Sequence, residues 1–235
     1  MFDVAEGTPT WQEDIAAKGF AVIRNVFSSE EVGALVQALR GCGLRRSRAG
    51  VRHALGLAPV AAMATDPRLT RIACTMLGPQ AVPFRATLFD KTPTSNWLVA
   101  WHQDRALPLQ ERRDVLGWGP WSVKEGVTYG HAPASTLEQV LALRVHLDDS
   151  TSRNGPLRVL PGTHTLGVLS DDSIHQFATK ISPVDCCVGQ GGVVAMKPLV
   201  VHSSSKLEID AKRRILHIEY AATLNVAEGL RLRTA

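Results

Sequence analysis

The feature that most constrains the fold is a series of short apolar and β-branched runs between residues 82 and 220. Turn-forming clusters such as Asn154-Gly155-Pro156 and Ser203-Ser204-Ser205 separate these runs. The predicted strands are 82–89, 98–102, 141–147, 157–160, 193–196, 200–202 and 214–220. Many short strands in one chain indicate a β-sandwich or a barrel.

The residues before position 82 predict helices that could cover one sheet, with a short strand at 20–23. Each predicted helix has a capping residue at its start. Each also has an apolar stripe at helical spacing, a glycine at its end, or both. The predicted starts are Thr10 or Asp14, Ser28 or Ser29, and Asp66 followed by Pro67; the predicted ends are Gly19, Gly41 and Leu77.

Length and composition indicate one globular domain, residues 1–235, because the chain is 45% hydrophobic and 20% charged. The first residues lack the basic region and apolar run of a secretory signal, and no stretch approaches the roughly 18 apolar residues of a membrane span. The four cysteines form neither a disulfide framework nor a zinc pattern. We expect a cytoplasmic protein with buried thiols and no membrane partner.

Charge gives little indication of a macromolecular partner, since the net charge is only +4. One basic cluster, 45–48 with Arg52 and His53, is interpreted as a solvated face, with contact to an anionic substrate as the alternative. Nucleic acid is therefore not expected to be a partner.

The region 110–135 is the least regular, with two tryptophans, four glycines and two prolines. Such a segment is either a lid over a site or a loop whose Trp118 and Trp121 pack against the barrel rim. The sequence leaves both interpretations open.

Two His-x-Asp motifs could each contribute to a metal site, because residues i and i+2 of a strand share a face. His102-Gln103-Asp104 follows the apolar strand 97–101 and precedes the irregular region. His146-Leu147-Asp148 runs directly into a polar connection, where an aspartate ordinarily caps a turn. Geometry permits both pairs, but the position of the first pair favours it as the metal-binding one.

A third ligand and an anion-binding group follow a hundred residues later. His202 closes the apolar run 196–201, where a lone histidine is ordinarily a core or rim residue, and Arg213 begins another strand eleven positions on. Two imidazoles and one carboxylate can hold one face of an iron(II) ion and leave three positions open. The planar fork of an arginine beside that ion suits a carboxylate co-substrate.

These residues resemble the phytanoyl-CoA dioxygenase family of iron(II) and 2-oxoglutarate dependent oxygenases. The resemblance rests on six elements in order: 19–23, 101–104, 154–157, 161–164, 202–204 and Arg213. It implies a mainly β fold with flanking helices, namely a double-stranded β-helix of the jelly-roll, cupin-like type. It also implies that His102, Asp104 and His202 bind iron and that Arg213 binds the distal carboxylate of 2-oxoglutarate, with Arg214 as the rival.

Other positions of the sequence also relate to the family pattern. Ser204 stands in the segment where the family often has Asn, and it is the expected polar replacement. Lys91 and Trp121 lie where the family can contact 2-oxoglutarate, although a loop charge and a rim aromatic explain them equally well. Asp104 occupies the position that related halogenases leave free for chloride, which argues against halogenation.

The resemblance implies hydroxylation of an unactivated C–H bond of a small molecule by O₂, with release of succinate and CO₂. An acyl thioester or a secondary metabolite is the expected substrate class, and the sequence leaves the oligomeric state open. A zinc-dependent hydrolase and a non-catalytic jelly-roll binding protein are the alternatives. His164 and His217 are interpreted as structural, the latter with Glu219 as a partner.

Overall fold

Two facing antiparallel β-sheets form the body of the protein in the computed structural model, which describes residues 10–43 and 50–234. Its strands are β1 (Phe20–Ile23), β2 (Val82–Lys91), β3 (Val99–His102), β4 (Ala106–Leu109), β5 (Trp121–Lys124), β6 (Val127–His131), β7 (Val140–His146), β8 (Leu157–Val159), β9 (Val184–Cys186), β10 (Val193–Met196), β11 (His202–Ser204), β12 (Arg213–Ala221), β13 (Asn225–Ala227) and β14 (Leu230–Arg231). Its α-helices are α1 (Trp11–Lys18), α2 (Ser29–Arg40), α3 (Ala58–Ala64), α4 (Pro67–Leu77), α5 (Ala134–Leu137) and α6 (Asp171–Lys180).

The major sheet has five strands in the order β1-β10-β7-β12-β2, and the minor sheet has four in the order β3-β11-β8-β9. Consecutive strands in each sheet are far apart in sequence, as when a chain crosses repeatedly between two sheets. Helices α1 to α4 cover the major sheet. This is the predicted jelly roll with flanking helices.

Alternation along the strands of the major sheet divides its two faces. On β7, Leu141, Leu143 and Val145 belong to the apolar core beneath the helices, while Arg144 and His146 point to the opposite face, toward the minor sheet. A second apolar cluster fills part of the space between the sheets, with Val194 of β10 and Leu157 of β8 among its members. The polar inner positions of the major sheet therefore face the space between the sheets.

The predicted helix boundaries are confirmed by their caps. Thr10 and Ser28 each accept a hydrogen bond from the backbone of the third helical residue, whose glutamate side chain bonds back to the cap. A cap of this kind contributes about 1 kcal/mol. Gly19 ends α1 with φ +84°, and Asp66 caps α4. Local polar chemistry thus sets where these helices begin and end.

The predicted strand at 200–202 was wrong in its bounds. Val200 and Val201 are buried but lie before β11, because Lys197 to Val200 form a turn in which the Val200 N–H donates to the Lys197 carbonyl at 3.1 Å. The apolar residues at 200–201 are therefore buried, but they are not paired in a strand. The other predicted strands match observed ones within about two residues.

The region 110–135 contains a hairpin that sequence did not predict. β5 and β6 pair with each other, and β6 also pairs with β4, to give a three-stranded sheet. Trp118 stacks on Trp121 with ring centroids 6.5 Å apart, and both pack against the apolar cluster around Phe84 and Leu109. The structure therefore shows the packed arrangement of the two tryptophans.

Two further expectations need correction or fall outside the described residues. Of the cysteines, Cys186 is buried and Cys187 is exposed, while Cys42 and Cys74 are half-buried, so the expectation of four buried thiols was wrong. Residues 45–48 of the basic cluster lie outside the described residues. No helix in the described part of the chain is both long enough and apolar enough to cross a membrane.

Candidate metal centre

The two predicted histidine ligands lie side by side on neighbouring strands of the minor sheet. His102 is the last residue of β3 and pairs with His202, the first residue of β11. Asp104 follows two residues after His102, and its N–H donates to the Pro198 carbonyl at 3.0 Å. Strand pairing therefore brings together residues that are a hundred positions apart.

The three side chains converge on one point. The Nε2 atoms of His102 and His202 each lie 3.5 Å from a different carboxylate oxygen of Asp104. The two imidazole centroids are 4.2 Å apart, and one ligand atom from each residue lies within 4.8 Å of the others. His202 is buried, whereas His102 and Asp104 are half-buried and face a cavity.

Backbone carbonyls orient both imidazoles. Nδ1 of His102 lies 2.9 Å from the Ala100 carbonyl, and Nδ1 of His202 lies 3.0 Å from the Val200 carbonyl. A carbonyl oxygen can only accept, so each Nδ1 carries a proton, and Nε2 is the ring nitrogen left to bind a metal ion at the point shared with Asp104. Hydrogen bonds of this kind to the other ring nitrogen orient metal-binding histidines.

The charge state of the three groups also suits a cation. Burial favours the neutral form of Asp104, but the two imidazoles outweigh it and hold the pKa of that carboxyl well below its usual range. Burial, together with the adjacent His102, lowers the pKa of His202 to about 4. At neutral pH, Asp104 is therefore a carboxylate and His202 a neutral imidazole. Burial lowers the pKa of His102, but Asp104 outweighs burial and the pKa is raised.

The competing pair does not converge. His146 is buried, with Nδ1 3.1 Å from the Arg144 carbonyl, and burial lowers its pKa to about 3. Both carboxylate oxygens of Asp148 instead accept hydrogen bonds from the Arg214 guanidinium, at 2.8 and 2.6 Å. Asp148 therefore fixes Arg214 and is not directed at a shared point with His146.

A cavity of about 350 Å³ lies between the sheets, and the three converging side chains line it. Arg213 lines the same cavity and is only 3% exposed. Its Nη2 donates to the Ser204 hydroxyl at 3.1 Å, but Nε and Nη1 have no hydrogen-bond partner among the described residues. Burial and the neighbouring Arg144 lower the Arg213 pKa to about 9, so it still carries its charge at neutral pH.

Of the other predicted co-substrate contacts, Ser204 and Lys91 lie at or behind the cavity wall, and Trp121 does not. Ser204 lines the cavity, and its hydroxyl accepts from Lys91 Nζ at 3.1 Å and donates to the Gly155 carbonyl at 2.9 Å. Lys91 is fully buried behind Ser204, and burial, with Arg213 beside it, lowers its pKa to about 7. Trp121 is not among the residues that line the cavity, since it belongs to the three-stranded sheet.

Sequence reasoning missed four polar residues that line the cavity: Arg85, Arg144, His217 and Glu219. Arg85 and Glu219 form a buried ion pair. His217 was interpreted as structural with Glu219 as partner; its Nε2 lies 3.7 Å from Glu219, and its Nδ1 accepts from Arg144 at 3.0 Å. Polar residues that alternate with apolar ones along the predicted strands were the signal that could have identified these residues.

Comparison with known proteins gives a family. The model of the family described as phytanoyl-CoA dioxygenase (PhyH) matches residues 15–215. A curated relative, the L-proline trans-4-hydroxylase of Streptomyces griseoviridis, is 25% identical over 143 residues. That match covers 50% of this chain and 53% of the relative, so it spans about half the length of either protein.

Solved structures share the fold. AviO1 from Streptomyces viridochromogenes Tue57 has a TM-score of 0.65 at 23% identity, over 91% of this chain and 96% of that one. EctD from S. alaskensis, solved with 2-oxoglutarate and 5-hydroxyectoine, has a TM-score of 0.69 at 18% identity, over 94% and 79%. The 2-oxoglutarate-dependent epimerase SnoN has a TM-score of 0.69 at 19% identity, over 90% and 79%.

Proposed function

This chain belongs to the phytanoyl-CoA dioxygenase family, and on that basis we propose that it is an iron(II) and 2-oxoglutarate dependent oxygenase that hydroxylates a small molecule. One observation carries the proposal. A carboxylate and two imidazoles that converge on one point share a cavity with a buried arginine, two of whose nitrogens have no hydrogen-bond partner in the described part of the chain.

The ligand set supports iron(II). Two neutral imidazole nitrogens and one carboxylate are the facial donor set of non-heme iron oxygenases, which leaves positions open for other ligands. His102, Asp104 and His202 provide this set from one edge of the minor sheet. The carbonyls of Ala100 and Val200 would keep the two Nε2 lone pairs directed at the ion.

The cavity also supports 2-oxoglutarate. A buried guanidinium with unsatisfied donors is costly, and a carboxylate that accepts two parallel hydrogen bonds removes that cost. Arg213 would therefore bind the distal carboxylate, while Ser204 accepts from its Nη2 and is itself held by a hydrogen bond from Lys91. SnoN is a 2-oxoglutarate-dependent epimerase, and EctD binds 2-oxoglutarate in its crystal structure.

The residues of the chain position the reactants and exclude water. Bound iron(II) would let O₂ act as the oxidant, with one oxygen atom going to succinate as 2-oxoglutarate loses CO₂ and the other going into the C–H bond of the substrate. Phe89, Val99 and Leu157 line the cavity and limit access of water to it. We propose that the substrate is an acyl thioester or a secondary metabolite, and hydroxylation is consistent with the name of the proline hydroxylase relative.

The test is substrate-uncoupled formation of succinate from 2-oxoglutarate by the iron-loaded protein under air. We expect turnover in the wild type and at least a 100-fold loss in Asp104→Ala. Asp148→Ala is the matched control, because it removes the other His-x-Asp carboxylate, and it should lower stability while it retains turnover.

Three outcomes would contradict the proposal. No succinate from the iron-loaded wild type would favour a binding protein. Hydrolysis by the zinc-loaded protein with no 2-oxoglutarate turnover would favour a zinc hydrolase. Loss of turnover in Asp148→Ala, with normal turnover in Asp104→Ala, would transfer the metal site to His146 and Asp148.

A further inference from the structure

One buried guanidinium of the cavity forms no ion pair with any carboxylate of the described residues. Arg144 is 7% exposed and lines the cavity together with His202 and Asp104. Its Nη1 donates to Nδ1 of His217, which is a neutral acceptor, and its Nε has no hydrogen-bond partner among the described residues. Burial of a charge without a counter-charge is strongly unfavourable, so a site of this kind is suited to an anion.

A count of the cavity charges leaves Arg144 as the unmatched one. Among the described residues that line the cavity, the four arginines are Arg52, Arg85, Arg144 and Arg213. Arg52 pairs with Glu125 at 2.7 Å, and Arg85 pairs with Glu219. Under the proposed function, Arg213 pairs with the distal carboxylate of 2-oxoglutarate. Asp104 and the second carboxylate of 2-oxoglutarate together balance the two positive charges of iron(II).

Arg144 enters the cavity from a different strand than the arginine assigned to the co-substrate. It lies on β7 and pairs across strands with His217, which lies four residues beyond Arg213 on β12. The two backbones are thus about 13 Å apart along the strand, although the guanidinium groups are near enough for Arg144 to lower the Arg213 pKa. Each guanidinium has its own nitrogen without a hydrogen-bond partner among the described residues, so each can bind a carboxylate of its own.

The guanidinium of Arg144 is also held in place. Its central carbon lies 5.3 Å from the ring centroid of Phe89, and the His217 hydrogen bond fixes one edge. The Nε edge remains open to a ligand. A planar guanidinium held in this way presents a preorganised fork to a carboxylate.

We propose that Arg144 recognises an anionic group, a carboxylate, of the primary substrate and so positions that substrate beside the metal centre. The inference rests on the proposed function, because it assigns the other cavity charges to iron(II) and 2-oxoglutarate. The substrate is then a carboxylic acid, and its uncharged amide or ester is a poor ligand.

The test follows the arginine Nε–H signals by NMR in the full chain loaded with diamagnetic Zn(II). Variants Arg144→Lys and Arg213→Lys assign the two signals by their loss. Addition of 2-oxoglutarate should shift the Arg213 signal and leave the Arg144 signal in place. Acetate, butyrate and benzoate are then titrated against their primary amides, and at least one acid should shift the Arg144 signal saturably, while the amides do not.

Binding of the responsive acid should weaken at least about 10-fold in Arg144→Gln and less in Arg144→Lys, which keeps the charge. Arg158→Gln is the control, since Arg158 pairs with Asp185 and does not line the cavity. A shift of the Arg144 signal on 2-oxoglutarate alone, equal responses to acids and amides, or no response to any acid would overturn the inference. Failure of the Arg213 signal to respond to 2-oxoglutarate would instead count against the proposed function.

Discussion

At the scale of single residues, the two adjacent arginines of β12 have opposite environments. Arg213 faces the cavity, and Arg214 faces the other way and forms a bidentate ion pair with Asp148. Strand alternation requires such a division, but the sequence does not say which face is inward. The buried, under-partnered guanidinium of Arg213 is what distinguishes it.

Substitution of these arginines should therefore have separable effects. Arg213→Ala should raise the KM for 2-oxoglutarate about 10- to 150-fold, because about 1.5–3 kcal/mol of charge-assisted hydrogen bonding is lost. Arg214→Ala, the matched control, should lower the thermal midpoint and leave that KM within about twofold. Steady-state kinetics and thermal unfolding of both variants test this. The reverse order of KM effects would show that Arg214 is the co-substrate residue.

The sequence allowed some site residues to be predicted and hid others. His102 and Asp104 are two positions apart at the end of one predicted strand, so a shared face followed from extended backbone geometry. Arg144 gave no such signal, because its partner His217 is 73 residues away and meets it only through the pairing of β7 with β12. Long-range register decides such contacts.

At the scale of elements, the strands of the major sheet and the helices before it were largely predictable, whereas the three-stranded sheet and helix α6 were not predicted. β5 is largely exposed and joins β6 through Glu125-Gly126, both at positive φ, which is not one of the usual Asn-Gly or Asp-Gly turn signals. Helix α6 was not predicted, although Ile174 is buried and Phe177 and Ala178 follow it at helical spacing and pack in the same apolar cluster. Its cap, Ser170, accepts from the Ser173 N–H and was the signal that could have revealed it.

The turn at Gly155 links an element boundary to the site. Gly155 has φ +65°, its carbonyl accepts from Ser204, and an added Cβ would lie 2.3 Å from the Ser205 carbonyl oxygen. Gly155→Ala should therefore destabilise the fold by about 1–3 kcal/mol and raise the KM for 2-oxoglutarate as Ser204 shifts.

Gly126→Ala is the control for that substitution, because Gly126 also has positive φ but an added Cβ would meet nothing within 4 Å. It should cost stability only through backbone strain and leave the KM unchanged. Chemical denaturation and 2-oxoglutarate kinetics compare the two variants. An equal loss of stability and no KM change in Gly155→Ala would show that the turn does not position Ser204.

At the scale of the whole molecule, the two sheets contribute different chemistry to one cavity. The β3–β11 edge of the minor sheet and the segment after β3 supply the three converging side chains, and the inner face of the major sheet supplies Arg85, Arg144 and Arg213. The related structures share this fold at 18–23% identity. The cationic inner face of the major sheet is thus the part of this chain from which we infer its substrate.

The central claim is that His102, Asp104 and His202 bind one iron(II) ion, and anaerobic calorimetric titration of iron(II) tests it most directly. We predict one ion per chain in the wild type, with affinity at least 100-fold weaker in His202→Ala and in Asp104→Ala. His146→Ala and Asp148→Ala should bind iron(II) like the wild type. Unchanged affinity in the first two variants, or lost affinity in the second two, would contradict the account.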